Sequence, residues 1–169
     1  MHFSLNKGEH KFILGELDFM DDVGKKVYHA TRESALHENY TIFQGENKLA
    51  FMKHKIHLGG YSFEVQDGSG VAVGELHCKL HKGRVGEYWY TDQQDNIQAV
   101  VSWEGVLKFT LSDPGFSRIY AEASLDLPGG IIGDLKALGN RQSTVFIPYS
   151  SALPLSVILS FCVAIANMP

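Results

Sequence analysis

The sequence predicts a mainly β protein: a closed antiparallel barrel of about twelve strands around a buried hydrophobic C-terminal α-helix. Three observations carry this expectation. Short segments alternate apolar and polar residues at every step, and each stops at Gly, Asp or Asn turn chemistry. Glycine is plentiful, 17 residues against 5 prolines, as a chain with many turns between strands requires. The final stretch is uncharged and, wound as a helix, is apolar almost all round.

The strands come first along the chain. Tyr61-Ser62-Phe63-Glu64-Val65-Gln66 puts Tyr61, Phe63 and Val65 on one face, and it ends at Asp67-Gly68-Ser69-Gly70. Val106-Leu107-Lys108-Phe109-Thr110-Leu111 repeats the alternation and stops at Asp113-Pro114-Gly115. Between them, Leu76, Cys78 and Leu80 share one face while His77 and Lys79 share the other. The same reading predicts strands at 11–19, 26–32, 38–43, 48–54, 61–66, 71–80, 86–92, 97–103, 106–111, 118–124, 132–138 and 143–148. Segment 132–138 reads equally as a helical turn. Phe19, Tyr40, Tyr61 and Tyr88 precede turns at 21–24, 45–47, 67–70 and 92–96. The first three recur every 21 residues, long enough for two strands and two connections. Such spacing is that of an antiparallel meander.

Ser150-Ser151-Ala152-Leu153-Pro154 predicts a helix start, with a serine cap and proline in the first turn. No charge occurs from Leu153 to Met168, and Ser156, Ser160 and Asn167 fall on one narrow stripe. Those serines are expected to bond back to their own helix. At about 1.5 Å per residue the segment is roughly 24 Å long, short of a hydrocarbon core of roughly 30 Å. Burial in protein is therefore expected, with no transmembrane span. A twelve-stranded barrel leaves a bore too wide for its own side chains, and this helix would fill it. No linker divides the chain, so 1–169 reads as one domain, with strands over about 11–148 and the helix over about 152–168.

Hydrophobic residues at 44% and charged residues at 20% exclude a disordered chain. The net charge of -4 argues against a nucleic-acid partner. The two cysteines, Cys78 and Cys162, read as packed thiols of a reduced, cytoplasmic protein. The N-terminus shows no signal-peptide pattern. There is no Gly-x-Ser-x-Gly elbow, phosphate-binding Gly-x-x-x-x-Gly-Lys loop or His-Glu-x-x-His. No catalytic residue and no cofactor is expected.

Turn, then Val or Ala, then Lys recurs in Asn47-Lys48-Leu49-Ala50-Phe51-Met52-Lys53 and in Gly70-Val71-Ala72-Val73 running on to Lys79. With the twelve short strands and the uncharged helix Leu153 to Ala166, this pattern resembles the tubby C-terminal-like superfamily. The closest likeness is to its LURP-one-related branch, and it covers the chain from about Lys11 onward. The resemblance implies a twelve-stranded barrel threaded by its C-terminal helix. Tubby domains are phosphoinositide-binding membrane tethers, phospholipid scramblases resemble the same fold, and LURP-one-related proteins mostly lack an established activity. This chain departs from the scramblases, having no cysteine cluster, no proline-rich leader and no acidic calcium loop beside its helix. It is also not strongly basic.

Lys53, Lys55 and His57, then His77, Lys79, His81, Lys82 and Arg84, are the candidate binding residues. In a meander the two groups end parallel-running strands two places apart, so they meet at one end of the wall. Odd numbering puts Lys53, Lys55 and His57 on one face, as it does His77, Lys79 and His81. Such a patch suits an anionic headgroup, whereas the plainer reading is a solvated face whose lysines discourage edge pairing. A metal site drawn from His54 and His57, or from His77, Cys78 and His81, is not expected. His77 and Cys78 point oppositely, and His77 and His81 lie about 13 Å apart along a strand. At least one ring of Tyr88, Trp89 and Tyr90 must face outward. The functional expectation is a non-enzymatic binding or membrane-tethering module, peripheral at the membrane, for an anionic (phosphoinositide-type) headgroup or a protein partner. Its rivals are a small-molecule-binding barrel and a histidine-based metal-dependent enzyme.

Overall fold

The computed structural model describes residues 1–7, 16–33, 38–81, 84–105, 108–124, 143–148 and 152–167. Twelve strands occur among them: β1 His2–Lys7, β2 Leu17–Met20, β3 Lys26–Arg32, β4 Tyr40–Gln44, β5 Asn47–His57 and β6 Gly60–Asp67. They continue as β7 Ala72–His81, β8 Arg84–Asp92, β9 Ile97–Glu104, β10 Lys108–Ser112, β11 Ile119–Ser124 and β12 Ser143–Phe146, and helix α1 is Leu155–Ala166. Each strand pairs antiparallel with its neighbours in chain order, and β1 closes the ring by pairing with both β2 and β12. Among the described strands closure leaves no edge for another chain to extend.

β3 and β6 fall where the alternation places them, within one residue. β1 was not anticipated, although Phe3 and Leu5 are buried and alternate with His2 and Ser4 at the same period of two. β2 begins at Leu17, and the earlier part of the 11–19 strand lies outside the described residues, as does 132–138. The repeated aromatics Phe19, Tyr40, Tyr61 and Tyr88 occupy β2, β4, β6 and β8. These four strands run in the same direction, and all four rings belong to the core or pack against it.

Helix α1 lies in the bore. It touches β4, β5 and β6 on one side and β11 on the other, and five strands separate β5 from β11 either way round the ring. Every residue from Val157 to Ala166 is buried. Ser160 Oγ donates to the Ser156 carbonyl at 2.7 Å and Asn167 Nδ2 to that of Val163 at 2.9 Å, so these two polar side chains of the stripe are satisfied within the helix. The start differs from expectation. Pro154 occupies the N-cap and no side chain caps the helix, while Ser150 and Ser151 lie outside the described residues. Among the described residues no helix is long and apolar enough to cross a membrane.

The ends of the barrel differ. The lower rim bears the β2–β3, β4–β5, β6–β7, β8–β9 and β10–β11 turns, together with Met1 and the approach to α1. Four of these turns share one hydrogen-bond plan. In the β6–β7 turn the Asp67 N–H donates to the Val71 carbonyl, and Asp67 Oδ1 accepts from the N–H groups of Ser69 and Val71 at 2.9 and 3.0 Å. Asp21 and Asp92 repeat the arrangement, and Asp113 closes a turn one residue longer by accepting from the Arg118 N–H. The third residue after each aspartate is left-handed: Gly24, Gly70, Asp95 and Phe116, with φ of 78°, 87°, 61° and 55°.

Candidate functional site

β5 and β7 run in the same direction on either side of β6, so the basic residues they carry gather on the outer wall toward the upper rim. Register puts Lys55, Ser62, His77 and Trp89 in one row across β5 to β8, and His57, Gly60, Lys79 and Glu87 in the next. Lys53 opens a third row, shared with Glu64, Glu75 and Thr91. The expected face is therefore real for Lys53, Lys55, His57, His77 and Lys79. His81 and Arg84 pair through their backbones in the β7–β8 hairpin, and Lys82 lies outside the described residues.

Carboxylates interleave with these cations. Lys55 Nζ meets Glu75 Oε2 at 2.9 Å and Glu64 Oε2 at 3.2 Å. Glu75 Oε1 lies 3.8 Å from both His57 Nε2 and His77 Nδ1. The Glu75 hydrogen bond holds the Lys55 ammonium above its usual range. Gln66, then Lys55, holds the Glu64 carboxyl below the ordinary range. Burial works to raise Glu75, but hydrogen bonds from Ser62 and Lys55 outweigh it and hold that carboxyl low. Lys55 is thus committed to the wall, whereas Lys53 and Lys79 are exposed.

His57 Nε2 lies 2.6 Å from Ser62 Oγ, an approach that invites comparison with a nucleophile and its base. Ser62 is fully buried, and the Glu75 carboxylate faces the same ring nitrogen as the serine. In a hydrolase triad the acid orients the base from the opposite nitrogen. Glu75 thus joins the pair to the ion network around Lys55.

Orientation separates His54 from His57 and His77 from Cys78, the ligand pairs of the metal readings. His54 points inward, its ring 5.5 Å from Tyr61 and 5.1 Å from Phe63 between centroids, with Nε2 3.4 Å from Glu38 Oε2. Burial lowers its pKa. Cys78 is buried inside the wall and His77 stands outside it, as a strand requires. Among the described residues no group of three ligating side chains converges. Of the three rings on β8, Trp89 is the outward one and stacks on His77.

No protein-family model, curated protein or solved structure matches the chain.

Ile56 and Leu58 were not singled out from the sequence. They stand at the β5–β6 tip with relative exposures of 82% and 108%. The bore-facing register of β5, Ala50, Met52 and His54, continues into Ile56, but the hairpin has by then outrun the core. The signal was Ile56-His57-Leu58-Gly59-Gly60 itself, aliphatic residues set against a glycine turn. Beside the tip lie His57 on β5 and Lys79 on β7, which is paired with Gly60, and Lys53 stands two rows farther down the same outer wall.

Proposed function

We propose that this protein is a non-catalytic module that tethers itself to an anionic lipid surface through the β5–β6 end of its upper rim. The observation that carries the reading is the hairpin tip, two bare aliphatic side chains above an outer wall that exposes Lys79 beside the tip and Lys53 two rows below it. Ile56 and Leu58 would enter the headgroup–acyl boundary, burying apolar surface worth roughly 1.5–3 kcal/mol per side chain. Lys53 and Lys79 would take phosphates, at about 1 kcal/mol each near such a surface. Contacts of this size produce reversible, salt-sensitive binding. Phosphoinositide-type headgroups are the ligand class that the resemblance to tubby domains suggests, and the cytoplasmic leaflet is where they would be met.

Other features support a non-catalytic surface binder. The helix occupies the space in which a lipocalin-like barrel would hold a small molecule, and Ser62, the hydroxyl beside His57, is fully buried in the wall. Vesicle co-sedimentation tests the proposal. Phosphatidylcholine vesicles doped with phosphatidylserine or a phosphoinositide should retain the protein at low salt and release it at high salt. Ile56→Asp with Leu58→Asp should abolish retention, and Lys53→Ala with Lys79→Ala should weaken it. Absence of low-salt retention, or retention indifferent to the tip, would refute the lipid reading and leave a protein partner.

A further inference from the structure

The lower rim bears a second set of exposed apolar residues, far from the lipid-facing tip. Val71, Ile97, Phe116 and Ile119 stand on three successive turns, β6–β7, β8–β9 and β10–β11. Phe116 is the informative one. It occupies the left-handed position that glycine fills at 24 and 70 and aspartate fills at 95. A β-carbon is crowded there, and only Gly, Asn and Asp visit that conformation routinely. Phe116 nevertheless keeps 65% of its surface in solvent, so core packing does not compensate the strain. An exposed aromatic ring held at a conformational cost fits a contact residue. Beside it a cleft of about 360 Å³ is lined by Ser117, Arg118, Ile119, Tyr120 and Ala152.

Charge selects the occupant. The same three turns carry Asp67, Asp92, Asp95 and Asp113 against Arg118. Hydrogen bonds from Ser69 and Val71 hold the Asp67 carboxyl below its usual range, and those from Arg118 and Ser117 do so for Asp113. An anionic bilayer is repelled by such a rim, and so is a second copy docking rim to rim. We infer that the lower rim docks a protein segment that interleaves Lys or Arg with large apolar side chains, with Phe116 and Ile119 as anchors and the aspartates as counter-charges. The two ends would then join a lipid surface to a partner, though the lower-rim surface stands without the upper one.

A peptide-display library panned on the full chain provides the probe, with counter-selection on Phe116→Gly/Ile119→Ser. Selected peptides should combine basic with large apolar residues. Their affinity should fall at least tenfold in Phe116→Gly, fall in Asp92→Asn/Asp113→Asn, and fall with added salt. Phe116→Gly should raise the thermal midpoint, showing that the loss is not unfolding, and should leave vesicle binding unchanged. Four results would overturn the inference: no selected peptide, peptides lacking basic residues, equal binding by Phe116→Gly, or a dimer of the wild type that this variant dissolves. Loss of vesicle binding in Phe116→Gly would likewise overturn it, by placing this rim against lipid.

Discussion

The His77 imidazole lies flat on the Trp89 indole, centroids 5.0 Å apart and planes 11° from parallel, with Nε2 3.0 Å from Thr91 Oγ1. Burial favours the neutral ring and outweighs the opposing pull of Glu75, so the pKa sits below the ordinary 6.5. A depressed pKa means that the native state binds fewer protons than the unfolded chain. The associated stability is present above 6.5 and is lost as pH falls through the folded value. Protonation also places a cation over the indole face, which quenches its emission. Trp fluorescence should therefore fall on acidification with a midpoint under 6.5, and His77→Gln should remove the step. A midpoint above 6.5 would show that Glu75 dominates.

The turn aspartates predict a second, more acidic transition. Asp67, Asp92 and Asp113 are all held below the ordinary carboxyl range. Hydrogen bonds to Ser69 and Val71 act on Asp67 and those from Arg118 on Asp113, while at Asp92 burial opposes the shift but hydrogen bonds to Asn96, Gln94 and Gln98 prevail. Lowered carboxyl pKa values contribute stability above the unfolded value and lose it as pH falls through the folded one. Thermal midpoints should drop steeply below about pH 4. The triple Asp→Asn variant keeps an acceptor oxygen in each turn, so its midpoint should depend on pH far less. Triple Asp→Ala should be destabilised at every pH, because the Ser69, Gln94 and Arg118 N–H groups lose their acceptor. Differential scanning calorimetry from pH 7 to 2 distinguishes these outcomes.

The aspartate turns also show how much of the fold could be read from local chemistry. Asp67-Gly68-Ser69-Gly70 announces its reversal in four residues, and Tyr61 to Gln66 announces its faces by alternation, because both depend on neighbours in the chain. β1 carries the same alternation in Phe3 and Leu5, but it was legible only to a reader who took a segment opening the chain as structure. Lys55 shows the limit. Its face followed from parity, yet its engagement by Glu64 and Glu75 depends on register across two hairpins, which a single β-bulge can move. Ile56 and Leu58 escaped for a similar reason, since periodicity assigns a face and is silent on where a hairpin outruns the core. Phe116 carries no local signal of its left-handed backbone, since the residues that usually mark that conformation are Gly, Asn and Asp.

The thiols predict a chemical signature of enclosure. Burial pushes the Cys162 thiol up to about 12 and raises that of Cys78. Thiolate is the reacting form, and both sulfurs are buried. Native protein at pH 8 should take up no maleimide or Ellman reagent on the timescale of free cysteine, and both thiols should react once urea unfolds the chain. Rapid native labelling of Cys162 would mean that α1 leaves the bore.

Phe161 provides the quantitative test of that enclosure. Its side chain is fully buried at the middle of α1, the helix that packs on β4, β5, β6 and β11. A wide barrel cannot shrink to close the void left by a missing ring, because the strand number and stagger fix its diameter. Phe161→Ala should therefore cost about 3–5 kcal/mol, at the full cavity penalty. That is a large share of the 5–15 kcal/mol typical of one domain. Phe161→Leu keeps much of the volume and should cost less. Urea titrations would show a lowered midpoint with an unchanged slope. Removal of 153–169 should go further, leaving a chain without a cooperative transition, since the inner wall would then face a water-filled bore. A truncated chain that still melts cooperatively would show that the strands close around their own side chains, and that the helix is dispensable to the core.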